Sequence, residues 1–289
     1  MKRFCFFLLA IALCGYSVLL AQPKTAKYII DPARLKNLDK TVTLDTAGLR
    51  VSYALNADDL ADPHTYIDLQ CLEIGNRVAK YYSRFLSDKE QRVDAWIKER
   101  PSAQSVPHWL GEGGKRQDCW SEYQYSEIFK EGDVITVYSR MPHGLGRYDC
   151  WHKEPYPLQQ WTVQPDTLTI CGQLCQKAVC HFRGRSFEAW FAPGIPVGMG
   201  PWKFGGLPGL ILKVQDADRL YTFECVGVEQ GKFPIRKYDY SRYREMDRKQ
   251  LLKLQRRINE DYFRVAHVRD TNTGKPLSFY QAYEPLELE

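Results

Sequence analysis

Along much of the chain, apolar residues recur at every second position. Leu49, Val51, Tyr53 and Leu55 alternate with small or polar partners, the period of a half-buried strand. Tyr66 to Ile74 and Val78 to Phe85 follow, split by Gly75-Asn76, a hairpin-type turn signal. The period then changes: Ser87-Asp88-Lys89-Glu90 reads as a capping box. It predicts a helix over Asp88 to Glu99 with Val93, Trp96 and Ile97 on one face, stopping before Pro101. After a Gly, Pro and Ser-rich loop to Gln117, strands are predicted at 120–129, 134–140, 158–163, 167–170, 175–182, 186–191, 209–215 and 220–228. Short turns such as Gln164-Pro165-Asp166-Thr167, Arg183-Gly184-Arg185 and Asp216-Ala217-Asp218 join several of them. Links of hairpin length favour antiparallel neighbours, because parallel ones need crossovers of a dozen or more residues.

A second helix is predicted from about Ser241 to Asp261, with Met246, Leu251, Leu254 and Ile258 as its apolar stripe and its charged remainder facing solvent. Residues 22–46 read as an extended arm or edge strand, and 271–289 as a turn and a frayed end. With no internal repeat, the expected fold is a single domain over 22–289. Its class is α+β, predominantly antiparallel β: a curved meander sheet or half-barrel with a short central helix and a C-terminal helix.

The N-terminus is of another kind. Lys2 and Arg3 precede an apolar run from Phe4 to Leu13 and another from Val18 to Ala21, before Gln22, Pro23 and Lys24. This is the layout of a signal peptide, with cleavage expected after Ala21 and export to the periplasm, outer membrane or cell surface. A membrane anchor is the poorer fit, since Gly15, Tyr16 and Ser17 interrupt a segment already short of a span. Lipidation at Cys14 is disfavoured by bulky Leu13 before it. Removing 21 of 289 residues takes the formal charge from +5 to about +3. The basic residues are interspersed with acids, which argues against a nucleic-acid partner.

Seven of the nine cysteines follow the leader: Cys71, Cys119, Cys150, Cys171, Cys175, Cys180 and Cys225. An oxidising compartment favours pairing, and the odd number leaves one thiol over. Asp118-Cys119-Trp120 and Asp149-Cys150-Trp151 flank a predicted hairpin turning at Lys130 to Asp133, so Cys119 and Cys150 are the nominated bridge. Cys171, Cys175, Cys180 and His181 make a partial match to a metal site. On one strand, however, 171 and 175 would stand ~13 Å apart unless the chain turns between them. Cys180 and His181 would point to opposite faces.

Between Cys175 and Asp216 the chain carries a dense set of short motifs: Cys175-Gln176-Lys177-Ala178, Arg183-Gly184-Arg185, Ala189-Trp190-Phe191, Ile195-Pro196, Gly200-Pro201-Trp202-Lys203-Phe204 and Gly206-Leu207-Pro208-Gly209-Leu210-Ile211. This stretch resembles the signature of the GLPGLI family of secreted Gram-negative envelope proteins. Leu72-Glu73-Ile74-Gly75 and Lys80-Tyr81-Tyr82-Ser83 are similar to that family's N-terminal block. Cys171 and Cys180 depart from its pattern. The resemblance implies location and kinship and no chemistry.

Read physically, the stretch is a hairpin, a stiff loop and another strand, with glycines and prolines leaving the loop little freedom. Trp190, Trp202 and Phe204 can seal the core or line a binding lip. Arg183 and Arg185, beside a turn glycine, read as salt-bridge partners or as an anion site. Metalloprotease, serine-hydrolase and dinucleotide motifs are lacking, so no catalytic residue and no cofactor is nominated. The expected role is non-catalytic binding of an apolar ligand or an envelope polypeptide. The alternative is a thiol or metal protein built on Cys171, Cys175, Cys180 and His181.

Overall fold

The computed structural model describes residue 36 and residues 38–289 apart from 118. The leader, Cys14 and most of the arm from Gln22 lie outside the described residues. Twelve strands form one sheet: β1 Thr41–Leu55, β2 Asp68–Gly75, β3 Val78–Ser83, β4 Ser126–Glu131, β5 Val134–Ser139, β6 Cys150–Pro155, β7 Thr162–Ile170, β8 Gln173–Phe182, β9 Arg185–Ala192, β10 Leu210–Asp216, β11 Thr222–Tyr238 and β12 Arg244–Glu245. Helix α1 covers Arg84–Glu99, α2 Arg248–Glu260 and the short α3 Tyr262–Val265. The fold is α+β and dominated by antiparallel pairing.

The strand order is β12-β6-β5-β4-β3-β2-β1-β11-β10-β9-β8-β7. It comprises two meanders, β1 to β6 and β7 to β11, welded by the long antiparallel pairing of β1 with β11 from Thr41↔Tyr238 to Leu55↔Phe223. Only β12 runs parallel to its neighbour, β6. The chain passes from β6 to β7 through residues 156–161, although those strands lie ten neighbours apart. Seven residue steps reach ~25 Å, whereas ten flat inter-strand spacings would separate the strands by ~48 Å. The sheet therefore curls strongly while staying open, and bulges in β1 at 43/45, 47/49 and 52/53 supply local bending.

Among the departures from the sequence expectation, three have a clear tertiary reason. Helix α1 starts a turn earlier than the capping box, with Ser83 Oγ accepting the Leu86 N–H at 3.1 Å. Its buried face is Phe85, Leu86, Lys89, Glu90 and Val93, while Ile97 is exposed; burial of Phe85 and Leu86 just after β3 outweighs the local cap signal. The predicted turn at Gln164 to Thr167 is instead a bulge inside β7, with the register shifting between Val163 and Thr167. Pro165 is tolerated there because β7 is an edge strand. Strand β6 escaped the sequence reading, because its inward residues include a histidine: His152 is buried beside buried Cys150.

The inner face of the curl holds a core of Val51, Tyr53, Leu72, Tyr81, Ile128, Val137 and Leu212, with Trp190 and Trp202 packed against it. A second core at the β8–β10 end gathers Phe187, Phe191, Phe204, Ile211, Val214 and Leu286. Helix α2, through Leu251 and Ile258, packs with Trp120, Met141 and Leu145. Trp120 lies before β4, its indole donating to the Arg140 carbonyl at 2.9 Å. No described helix is long and apolar enough to cross a membrane.

Candidate functional site

The motif loop from Pro193 to Gly209 fits against backbone too closely for larger residues. A Cβ on Gly209 would fall 2.3 Å from the Ala192 carbonyl oxygen, and hydrogen bonds from the β6–β7 link hold the loop. Tyr156 Oη donates to Phe204 O (2.9 Å), Trp161 Nε1 to Gly205 O (2.8 Å), and the Gly205 N–H donates to Gln159 Oε1 (2.9 Å). Phe204 is fully buried, its ring 4.8 Å from Phe187 and 5.3 Å from Trp202 between centroids. It seals the core. Trp202 is half-buried, in the left-handed region at φ 52°, and with Lys203 forms part of a cavity wall. Trp190 stays at the rim, its indole donating to Glu188 Oε1 at 3.1 Å.

That cavity lies between the inner face of β2–β6, helix α2 and the segment Tyr283–Glu287, and encloses about 70 Å³. This is room for a few waters and none for an acyl chain. Its lining mixes Ile128, Val137 and Leu251 with Gln70, Tyr81 and His152. Gln70 Oε1 and His152 Nδ1 are buried without a hydrogen-bond partner among the described residues. Such atoms cost ~1–3 kcal/mol each when left unmet, so the cavity is suited to a polar guest or water. Glu122 also lines it; burial raises its carboxyl to about 7 against the opposing Asn259 hydrogen bond.

The cavity wall continues into a charge cluster. Arg183 contacts Glu154 (2.6 Å) and Glu287 (2.5 Å), Lys203 contacts Glu154 (2.7 Å) and Glu287 (2.5 Å), and Arg248 contacts Glu287 (2.6 Å). His152 Nε2 stands 3.6 Å from Glu154. Burial pushes both carboxyls up. For Glu154 the His152 contact, Lys203 and Arg183 outweigh it and hold the group well below its ordinary range. For Glu287 the charges of Lys203 and Arg183 do the same. Three cations thus face two carboxylates.

One of those carboxylates belongs to a polypeptide segment gripped as a ligand would be. Tyr221 Oη donates to Glu284 O at 2.5 Å, and Arg185 to Pro285 O at 3.0 and 2.7 Å. The Leu286 N–H donates to Tyr123 Oη at 3.3 Å and the Leu288 N–H to Arg183 O at 3.1 Å. Leu286 fills the second core. Arg183 from the sequence therefore shares Glu154 and Glu287 with Lys203, and together with Arg185 it grips residues 283–288, part of a tail that reads as a frayed end. Arg185 also pairs with Asp216 at 3.3 Å. Tyr123, Tyr221, Glu154 and Arg248 were missed, since nothing local distinguishes them from ordinary strand and helix residues.

The thiols do not follow the sequence expectation. No disulfide joins the described cysteines. Cys119 and Cys150 are not bridged, because β4 begins only at Ser126, paired with Ser139, and Cys150 lies one strand farther on, opposite Ser139. Nor do Cys171, Cys175, Cys180 and His181 form a metal centre: no described group of three His, Cys, Asp or Glu residues could hold an ion. Cys175 belongs to the inner core and Cys180 to the second one, while exposed His181 approaches Ser186 at 3.4 Å. Burial raises Cys175 to about 11 and Cys71, Cys150 and Cys180 to about 12.

Residues 181–213, which include Arg183, Arg185, Trp190, Trp202, Lys203 and Phe204, match a family model described as a protein of unknown function (Porph_ging). The match falls within the stretch that resembles the GLPGLI signature. No curated protein matches the sequence. Two solved structures of a protein named PNGF-II, in P21 and C2 space groups, share 12% and 13% identity with TM-scores of 0.44 and 0.43. Each alignment covers 75% of this chain but only 34% and 32% of the PNGF-II chain. Similarity at that level assigns neither kinship nor chemistry.

Proposed function

We propose that this is an exported envelope protein of GLPGLI type that binds polypeptide without catalysis, in the groove between β9, the motif loop and α2. Recognition is of an extended acidic segment. The observation that carries the proposal is the way residues 283–288 lie there. Main-chain groups are met by Tyr221, Arg185, Tyr123 and Arg183, one apolar side chain enters the core, and one carboxylate meets three cations. Main-chain hydrogen bonds with a side-chain pocket are a general means of holding extended peptides. The chain's own segment is the occupant in cis, and a partner segment of like chemistry would compete for the same contacts. An apolar small ligand fits the neighbouring cavity less well, since it leaves about 70 Å³.

The test is a chain ending at Gln281, checked for native circular dichroism and titrated with a labelled synthetic peptide of residues 282–289. Saturable binding is expected, weakened about tenfold or more when the peptide carries Glu287→Gln. A folded truncated chain that shows no saturable binding would overturn the proposal.

A further inference from the structure

The β7–β8 turn brings thiols together in a way that neither the polypeptide groove nor the motif explains. Cys171 and Gly172 are the two turn residues between β7 and β8, with φ 47° and 73°. Positive φ at both central positions is the mark of the tight hairpin turn whose twist matches the strands. Reversing the chain here, after Cys171 and before Cys175, removes the separation that one continuous strand would impose. The curl of the sheet then lays this hairpin tip on β11. Cys171 Sγ donates to the Cys225 carbonyl at 3.1 Å, and Cys225 Sγ to Gly227 O at 3.5 Å. Cys175 is buried in the same inner core as Cys225. Cys171 alone of the three is exposed; Cys175 and Cys225 are buried.

We propose that Cys171 and Cys225 are an oxidisable pair, in which Cys171 is the entry thiol for an external disulfide and Cys225 the resolving one. The Cys171 thiolate attacks one sulfur of a low-molecular-weight disulfide such as oxidised glutathione, forming a mixed disulfide and expelling one thiolate. Cys225 loses its proton to solvent and attacks Cys171 Sγ, forming the internal S–S bond and expelling the second thiolate. Two protein thiols are oxidised and one external disulfide is reduced to two thiols. The bond ties the hairpin tip to β11 and closes a loop between residues 54 apart. Burial, with Cys171 and Cys175 alongside, holds Cys225 well above the ordinary thiol range, so entry at exposed Cys171 comes first and resolution is the slower step.

The full chain is incubated with oxidised glutathione, alkylated and mapped by tryptic peptide mass spectrometry without reduction. In wild type and in Cys175→Ser, a cross-linked peptide pair joining Cys171 and Cys225 is expected in most molecules, lighter by two hydrogens. It should be absent from Cys171→Ser, and Cys225→Ser should hold glutathione stably on Cys171. Oxidised protein should melt several degrees higher than the reduced form, and Cys171→Ser should abolish the difference. A Cys171–Cys175 bond, glutathione retained on Cys171 of the wild type, or all three thiols still alkylated would overturn the inference. The polypeptide groove does not enter this test, so either can fail alone.

Discussion

Replacing Glu287 with Gln tests whether the charge cluster fixes the segment it belongs to. Glu287 is 7% exposed and lies at 2.5 to 2.6 Å from Lys203, Arg183 and Arg248. Glu287→Gln keeps the shape and leaves three cations sharing Glu154. Removing one partner of a buried charge pair costs ~3–5 kcal/mol. Because Glu154 and solvent at the partly exposed arginines still compensate, the lower end, about 3 kcal/mol, is expected. For a domain of this size each kcal/mol moves the midpoint by ~2–4 °C, giving a fall of about 6–12 °C by thermal denaturation.

The pH dependence supplies a second readout. In the folded protein Glu287 is held below its ordinary 4.5, where burial is outweighed by Lys203 and Arg183. Its contribution is therefore complete above pH 4.5 and disappears as pH falls through the folded value. The gap between wild type and Glu287→Gln should be widest at neutral pH and close on acidification. A midpoint at pH 7 within 2 °C of wild type would refute the reasoning.

Within the motif, Phe204→Ala should cost ~3–5 kcal/mol, whereas Trp190→Ala at the half-buried rim should cost less than half as much; equal losses in urea denaturation would mean that Phe204 does not seal the core. Glu122 has the opposite pH signature to Glu287. Burial raises its carboxyl from 4.5 to about 7, so its penalty is absent below pH 4.5, grows through the interval and is complete above about 7. Glu122→Gln, which retains an acceptor for Asn259, should gain stability over wild type at pH 8, by up to ~3 kcal/mol. At pH 4 the two should converge, and a pH-independent difference in midpoint would contradict this assignment.

The alternation of apolar residues was enough to give β2, β3, β5, β8, β9 and β10, the second half of β1, the first part of β4 and the first half of β11, because one face of each is buried and side chains alternate with period two. The stiff loop and its aromatics were equally legible, since glycine and proline restrict the backbone wherever they stand. Strand β6 was not legible, because its inward His152 belongs to a polar site. The start of α1 was not, because Phe85 and Leu86 are drawn into the core ahead of the box at Ser87. For the site, Arg183, Arg185 and Trp202 stood out locally. Their partners, Glu154 and Glu287, lie 29 and 104 residues from Arg183 and carry no sequence signal of contact.

What the sequence determined by itself is the set of local choices: strand or helix, tight turn or stiff crossing, and which side of each strand is apolar. Tertiary structure alone decided that β1 pairs with β11, that the sheet curls until its two ends can be linked by six residues, and that a polar tail becomes a buried strap. The physical reason is that local preference is set by steric and solvation effects within a few residues. Pairings between distant segments depend on which surfaces the completed curl brings together, and a charge such as Glu287 becomes costly or stabilising only once its neighbours and its burial are set.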